Sequence, residues 1–321
     1  MFPVVLIIFN RPQHTANVLD SLRIARPERL FVVADGPRKD DAGDSKSCAQ
    51  ARELIKNVDW PCIVEKNYSD ENLGLQRRVI TGLDWVFQQV EEAIILEDDC
   101  LPGEDFLGFC SELLERHRHS PRVWAVSGDN FQGGQVRGEA SYYFSKYFHC
   151  WGWATWRRVW SQFRPEIEFW PELRSSMQWK QLHKSLEEQE HWEWIYDRVR
   201  LGDIKSWAFP FMLNMWRAEG LCILPQVNLV TNRGFDGSGT NSMGPSSARD
   251  LRRGKLGALV HSDRFSTIPE ADRYTFDTLY RRARPQADSA SSGRQMFKVI
   301  KTNLKQMYIK QLARFFAKST P

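Results

Sequence analysis

The first hundred residues alternate between short, continuously apolar runs and longer segments with apolar positions three or four apart. Pro3–Asn10 (PVVLIIFN) is an apolar, β-branched run, and a helical segment follows from Pro12 with Val18, Leu19 and Leu22 on its inner side. Arg29–Asp35 (RLFVVAD) repeats the strand pattern and stops at Gly36-Pro37; a polar helix with Ala51, Leu54 and Ile55 inward comes next. Cys62–Glu65 reads as a third strand and Asn72–Gln89 as a third helix carrying Leu75, Val79, Leu83, Trp85 and Val86. Ala93–Leu96 is a fourth strand. Apolar strands alternating with helices predict an α/β fold whose sheet is covered on both faces. In such sheets ligands gather at the carboxyl ends of the strands. Polar residues stand at those ends here: Asn10-Arg11, Asp35 and Glu97-Asp98-Asp99.

The acidic triplet has the most chemistry in it. Three adjacent carboxylates after a buried strand raise one another's pKa or recruit a cation. With no His or Cys ligand in the triplet, oxygen donors suit Mg²⁺ or Mn²⁺, which keep open positions for substrate phosphates. A solvated acidic turn is the plainer alternative, and the strand-end position argues against it. The chain lacks a GxxxxGK[ST] loop, a GxGxxG after the first strand and a GxSxG elbow. A nucleotide would therefore be held by metal and side chains rather than by a glycine cradle.

Charge is uneven. Arg294, Lys298, Lys301, Lys305, Lys310, Arg314 and Lys318 supply the last 28 residues with seven cations and no acid, although the whole chain of 321 residues carries only +4. Phe297, Ile300, Leu304, Tyr308, Leu312 and Phe315 recur at helical spacing among them. Such a helix either lies on an anionic membrane surface or docks its apolar side on protein. Nucleic acid is disfavoured, since the body has no basic stripe. Pro285–Arg294 (PQADSASSGR) reads as a linker, and Gly234–Gly257 as a Gly/Ser-rich loop. The expected organisation is one folded domain over 1–284, in halves 1–130 and 131–284, a linker over 285–295 and a tail over 296–321. The hydrophobic share of 42% excludes disorder as the main description, and no apolar run is long enough to span a bilayer. Pro3–Phe9 is too short for a signal peptide. Six cysteines without a CxxC pair predict neither a zinc site nor a disulfide scaffold, and a cytoplasmic setting.

Phe9-Asn10-Arg11-Pro12, Ala34-Asp35-Gly36-Pro37-Arg38, Glu71-Asn72-Leu73-Gly74 and Leu96-Glu97-Asp98-Asp99 occur in an order that resembles GT-A glycosyltransferases. The closer resemblance is to bacterial glycosyltransferase-like proteins related to the eukaryotic N-acetylglucosaminyltransferase of complex N-glycan branching. It continues through VWAVSGDN (123–130), HCWGWATW (149–156) and LPQVNLVTNRG (224–234), and so spans roughly residues 3–242. It implies the GT-A mixed sheet, a nucleoside-diphosphate sugar as donor, a carbohydrate or lipid-linked acceptor, a divalent ion, and inversion. Phe9, Asn10, Arg11, Asp35, Arg77, Arg78, Glu97 and Asp98 would face the nucleotide and donor sugar. Asp99 would bind the metal, with Asn241 where relatives carry a second ligand. Asp129, Asn130, Trp151 and Trp153 would line the sugar or acceptor, although most of the thirteen tryptophans are expected in the core. The family's general base follows a tryptophan, but Ser206-Trp207-Ala208-Phe209 puts an alanine there. Asp203, Glu193 or Asp197 would have to substitute, with Asp203 preferred. With a membrane-bound tail, the setting would be the inner face of the cell membrane and cell-envelope polysaccharide synthesis. Loss of transfer activity and a sugar nucleotidyltransferase are the competing readings.

Overall fold

The computed structural model describes residues 2–234, 253–262 and 264–281. Strand β1 (Val4–Ile8) leads to α1 (Pro12–Ala25), β2 (Arg29–Ala34), α2 (Ala42–Glu53), β3 (Ile63–Tyr68), α3 (Leu75–Phe87) and β4 (Glu92–Glu97). A two-residue turn at Asp98-Asp99 joins β4 to the short β5 (Cys100–Pro102), and α4 (Phe106–Arg116) and β6 (Val123–Ser127) follow. The second half contains β7 (Tyr142–Ser145), β8 (Trp153–Trp156), α5 (Arg157–Trp160), α6 (Trp170–Ser175), α7 (Met177–Leu182), α8 (Leu186–Arg200), α9 (Ala208–Arg217), β9 (Leu221–Pro225), β10 (Val230–Asn232) and α10 (Pro269–Thr275). The last of these continues as a π-type turn over Phe276–Tyr280.

Eight strands form one mixed sheet in the order β3-β2-β1-β4-β8-β6-β9-β7. β1, β2, β3 and β4 are parallel, and β8 is antiparallel to both β4 and β6. β10 pairs antiparallel with β5 in a separate ribbon. Every residue of β1 is buried, as are all of β2 but its first, which is what continuous apolar strands covered on both faces require. The α/β alternation expected over residues 3–96 is thus the observed architecture. Its details differ at α3. Leu75, expected inward, is 46% exposed, whereas Arg78 is buried. Val79, Leu83 and Val86 are inward as expected, and Gly82 packs against Val33, where a Cβ would stand 2.4 Å from Val33 Cγ1.

Of the clustered tryptophans, Trp153, Trp156, Trp170, Trp179 and Trp192 are wholly buried, as the core expectation required. The six cysteines are free thiols. No helix among the described residues is long and apolar enough to cross a membrane. The linker, the basic tail and Asn241 lie outside the described residues.

Candidate active site at the carboxyl ends of β1 and β4

The chain lays β1, β2 and β3 outward in one direction, then returns to place β4 on the other side of β1. That reversal makes the gap beyond the ends of β1 and β4 the topological switch point, where open α/β sheets leave room for a ligand. Register carries the acidic triplet there, with Ile7 opposite Glu97. Phe9, Asn10 and Arg11 leave β1 beside it.

Arg11 and the triplet meet. Arg11 Nη1 donates to Asp98 Oδ1 at 3.1 Å and to Asp99 Oδ2 at 2.7 Å. The backbone N–H of Phe9 donates to the other oxygen of Asp98 at 3.1 Å, and Cys100 Sγ lies 3.5 Å from Asp99 Oδ1. Arg11 also caps the start of α1, with Pro12 in the first turn and no side-chain cap. A cation is disfavoured at a helix N-terminus, so the two carboxylates must hold it there. They outweigh the burial that works against its charge, and its pKa is raised.

One guanidinium does not neutralise three carboxylates. Burial first, then repulsion from Asp99 and Asp98, raises the pKa of the half-buried Glu97. Burial raises Asp98 too, against the pull of Arg11. A further carboxylate stands close by: Glu97, Asp99 and Asp129 all act on the thiols of Cys100 and Cys150, which burial and this negative field raise well above their ordinary value. Asp129 follows β6 and is fully buried. Its Oδ2 accepts the Trp151 N–H at 2.9 Å, and its Oδ1 has no hydrogen-bond partner among the described residues. Burial drives its pKa well up. The corner therefore combines oxygen donors, one internal cation and carboxyl groups that hold their protons more tightly than usual.

No group of three or more His, Cys, Asp or Glu among the described residues is arranged to hold a metal ion. Mg²⁺ is seldom caged by protein alone; one or two carboxylates with substrate phosphates and water suffice. Asp98 and Asp99 fit that partial donor set, and the guanidinium of Arg11 is a cation already standing on it.

Other expected donor residues have structural duties. Asp35 is 6% exposed and accepts from Gly36 N at 2.9 Å, Leu73 N at 2.8 Å, Gly74 N at 3.0 Å and Asn72 Nδ2 at 3.1 Å. Those four donors fill a carboxylate's acceptor sites, so Asp35 fastens the loop before α3 and has no oxygen left for a base. Gly36 lets that loop approach, since a Cβ there would stand 2.5 Å from the Glu71 carbonyl carbon. Arg78 turns away from a donor, giving its Nη2 to the carbonyl and side-chain oxygens of Asn67, both at 2.5 Å. Arg77 is exposed. Asn10 donates to Asp44 Oδ1 at 2.6 Å, and Arg38 also pairs with Asp44. Mainly this hydrogen bond from Arg38 holds the Asp44 carboxyl down at about 2. Arg38 then lies over the Phe9 ring. Beside Asn72, a hollow of about 300 Å³ is lined by Arg38, Lys39, Asp40 and Glu71.

The expectations for the acceptor side and for the base need four corrections. Trp153 is 1% exposed and stacked on Trp207 at 5.3 Å, so it is core, not wall. Asn130 is buried, donating to Pro225 O at 2.6 Å and accepting from Gln132 N at 2.9 Å, so it shapes the chain rather than facing a sugar. Glu193 is held by Arg174 at 2.8 Å and by Trp179 Nε1 at 3.2 Å. It shares no hydrogen bond or ion pair with the acidic corner. Nor does Asp203, which is exposed in the loop after α8. Trp151 is half-buried against Phe131, at a ring distance of 5.3 Å, and its backbone is tied to Asp129. The turn is completed by Gly152, whose φ of +70° and close contact with Val230 leave no room for a Cβ.

The sequence did not point to Asp44. Its position in a polar helix carries no signal, because its partner Asn10 is 34 residues away. A buried network of Lys146, His183, Glu188 and Asp272 was missed for the same reason.

No family model matches the chain, and no curated protein matches it. Among solved structures, similarity is found to a UDP-glucose pyrophosphorylase complexed with UDP-glucose (TM-score 0.32, 12% identity, 51% of this chain and 81% of that one). Mouse xyloside xylosyltransferase 1 gives a TM-score of 0.34 at 13% identity, covering 66% of this chain and 80% of that one. A mannose-1-phosphate geranyltransferase from Thermus thermophilus gives 0.34 at 11%, over 70% and 74%. With TM-scores this low, the likeness is confined to part of the strand-and-helix pattern and assigns neither a family nor an activity.

Proposed function

We propose that the chain is a GT-A-type glycosyltransferase that takes its sugar from a nucleoside-diphosphate donor at the β1/β4 corner and passes it to a carbohydrate or lipid-linked acceptor. The observation that carries this is the meeting of Arg11 with Asp98 and Asp99 at the switch point, where one guanidinium stands against two carboxylates. A diphosphate alone would be repelled there. A diphosphate arriving with Mg²⁺ or Mn²⁺ would relieve the imbalance. Asp99, with Asp98 beside it, would hold the ion, which when bound supplies charge neutralisation for the leaving diphosphate. Arg11 binds the same leaving group, since a guanidinium matches phosphate oxygens in a bidentate fork. Asp35 keeps the loop before α3 in place, and the half-buried Trp151 offers a ring for the acceptor side.

A second reading, a donor-binding protein without transfer activity, is favoured by one observation. Ala208 stands at the start of α9 beside Trp207, where the resemblance expects the base. Neither Glu193 nor Asp203 shares a hydrogen bond or ion pair with the corner. The residues after 284 complete the proposal as a linker and a basic amphipathic segment that binds an anionic membrane surface.

The test is a thermal-shift screen of UDP- and GDP-sugars with and without Mn²⁺, followed by donor hydrolysis. A ligand at 100 times its Kd stabilises by about 2.7 kcal/mol. Asp99→Ala should abolish that metal-dependent gain while leaving the free protein folded; retained stabilisation refutes the assignment of Asp99. Removal of residues 285–321 should abolish partitioning onto anionic vesicles without changing the nucleotide shift.

A further inference from the structure

We infer that Arg11 is a resident counter-ion which competes with a divalent ion for the same carboxylate oxygens. The ion then binds tightly only together with a diphosphate that receives the displaced guanidinium. This rests on the reading of the corner as a metal–diphosphate site, and it adds the order in which that site fills.

The competition follows from the oxygens. Arg11 Nη1 bridges Asp98 Oδ1 at 3.1 Å and Asp99 Oδ2 at 2.7 Å. The remaining oxygen of Asp98 is taken by the Phe9 N–H, and that of Asp99 faces the Cys100 thiol. A Mg²⁺ ion coordinates oxygen at about 2.0–2.1 Å. On Asp99 Oδ2 it would need the space and the charge that Arg11 now supplies.

Movement is restricted to the side chain. Arg11 is fixed by Pro12 at the first helical position and by its carbonyl, which accepts the Thr15 N–H at 3.0 Å and the Thr15 hydroxyl at 3.0 Å. The guanidinium is also under-satisfied where it stands, because its buried Nε has no hydrogen-bond partner among the described residues. An anion would improve its position twice. Phosphate oxygens can engage more of the five guanidinium donors than Asp98 and Asp99 do. The start of the 14-residue α1, which disfavours Arg11 alone, also favours an anion beside it. Release of Arg11 from the carboxylates and arrival of a diphosphate therefore assist each other.

The experiment measures Mn²⁺ binding to the full chain by electron paramagnetic resonance near neutral pH, with the metal alone and with UDP or GDP. An occupied competitor lowers apparent affinity by the fraction of molecules in which the site is open. Arg11→Gln should accordingly bind Mn²⁺ alone about tenfold more tightly than wild type, and Arg11→Lys, which keeps a cation, should gain much less. With the nucleotide present the order should reverse, wild type binding more tightly than Arg11→Gln. A folded Arg11→Gln protein that binds Mn²⁺ alone no better than wild type overturns the competition. If neither UDP nor GDP promotes Mn²⁺ binding to wild type, the diphosphate reading fails instead; the metal-alone comparison judges Arg11 separately. Should Arg11→Gln not fold, a wild-type crystal structure with Mn²⁺ and UDP decides. Arg11 still bonded to Asp99 beside the metal refutes the inference, and Arg11 moved onto the diphosphate supports it.

Discussion

Two charged networks in this molecule use the same residue types to opposite ends. At the β1/β4 corner, Arg11 pairs with Asp98 and Asp99 and stands near Glu97. In the second half, Lys146 Nζ pairs with Glu188 at 2.8 Å and donates to Leu182 O at 2.8 Å. His183 Nδ1 lies 3.3 Å from the same Glu188 oxygen, and the Tyr147 hydroxyl donates to it. Asp272 closes that side, accepting from Ser145 Oγ at 2.5 Å. His183 is clasped between Trp179 and Trp216 at ring distances of 4.4 and 4.7 Å. At Glu188 burial works towards a raised pKa, but His183 and Lys146 hold it down at about 2; burial pushes Asp272 beside it up to about 7. At the outer corner Glu97 and Asp98 are raised, burial being the first cause for each. A buried carboxylate keeps its charge where, as at Glu188, a cation and hydrogen-bond donors hold it, and carboxylates that outnumber their cation at a strand end are where an external ion would bring stabilisation.

That contrast can be broken most severely at Lys146. Lys146→Met leaves Glu188 buried without its cation and should cost about 3–5 kcal/mol in urea unfolding. Nucleotide binding by the remaining folded protein should persist, and a loss under 1 kcal/mol would show that the pair is not structurally essential.

Acidification should act next. Burial drives the His183 imidazole down to about 4. Its folded pKa lies below the unfolded value near 6.5, so its contribution is present above pH 6.5 and disappears as pH falls towards 4. Glu188, depressed to about 2, acts in the same sense, its contribution present above about 4.5 and lost as pH falls towards 2. Each shift corresponds to at most about 3 kcal/mol. Asp272, raised to about 7 mainly by burial, acts in the opposite sense over this range. The denaturant midpoint of wild type relative to His183→Gln should therefore fall between pH 7 and 4, because only wild type carries the imidazole.

The smallest stability effect is expected at the outer corner. Glu97→Gln removes a carboxylate whose folded pKa is raised, so the wild-type group is penalised when ionised. Stability at pH 8 should be unchanged or higher by up to about 1 kcal/mol, the reverse of Lys146→Met. A loss of 3 kcal/mol or more would show that the corner is as self-sufficient as the inner network.

The strand-end position of the acidic triplet could be read from the sequence more readily than the partners of the side chains around it. The acidic triplet was placed at a strand end because AIILEDD is a local pattern. Asp35 also looked like a strand-end ligand, yet the Leu73 and Gly74 N–H groups, nearly forty residues later, fill its oxygens. Trp151 and Trp153 are two residues apart and looked alike. The pairing of β8 with β4 and β6 buried Trp153, while Trp151 precedes the strand at its open end. Glu193 was a plausible base until the fold set Arg174 and Trp179 against it.

By itself the sequence determined what depends on neighbours along the chain: continuous apolar strands, helices with one inward side, and three carboxylates together at the exit of β4. Periodicity and local repulsion need no distant partner. Tertiary structure decided everything that depends on which groups meet across tens of residues. It brought Arg11 onto Asp98 and Asp99, Lys146 onto Glu188, and β1 beside β4, because hydrogen bonds and ion pairs act over a few ångströms in space, irrespective of separation in sequence.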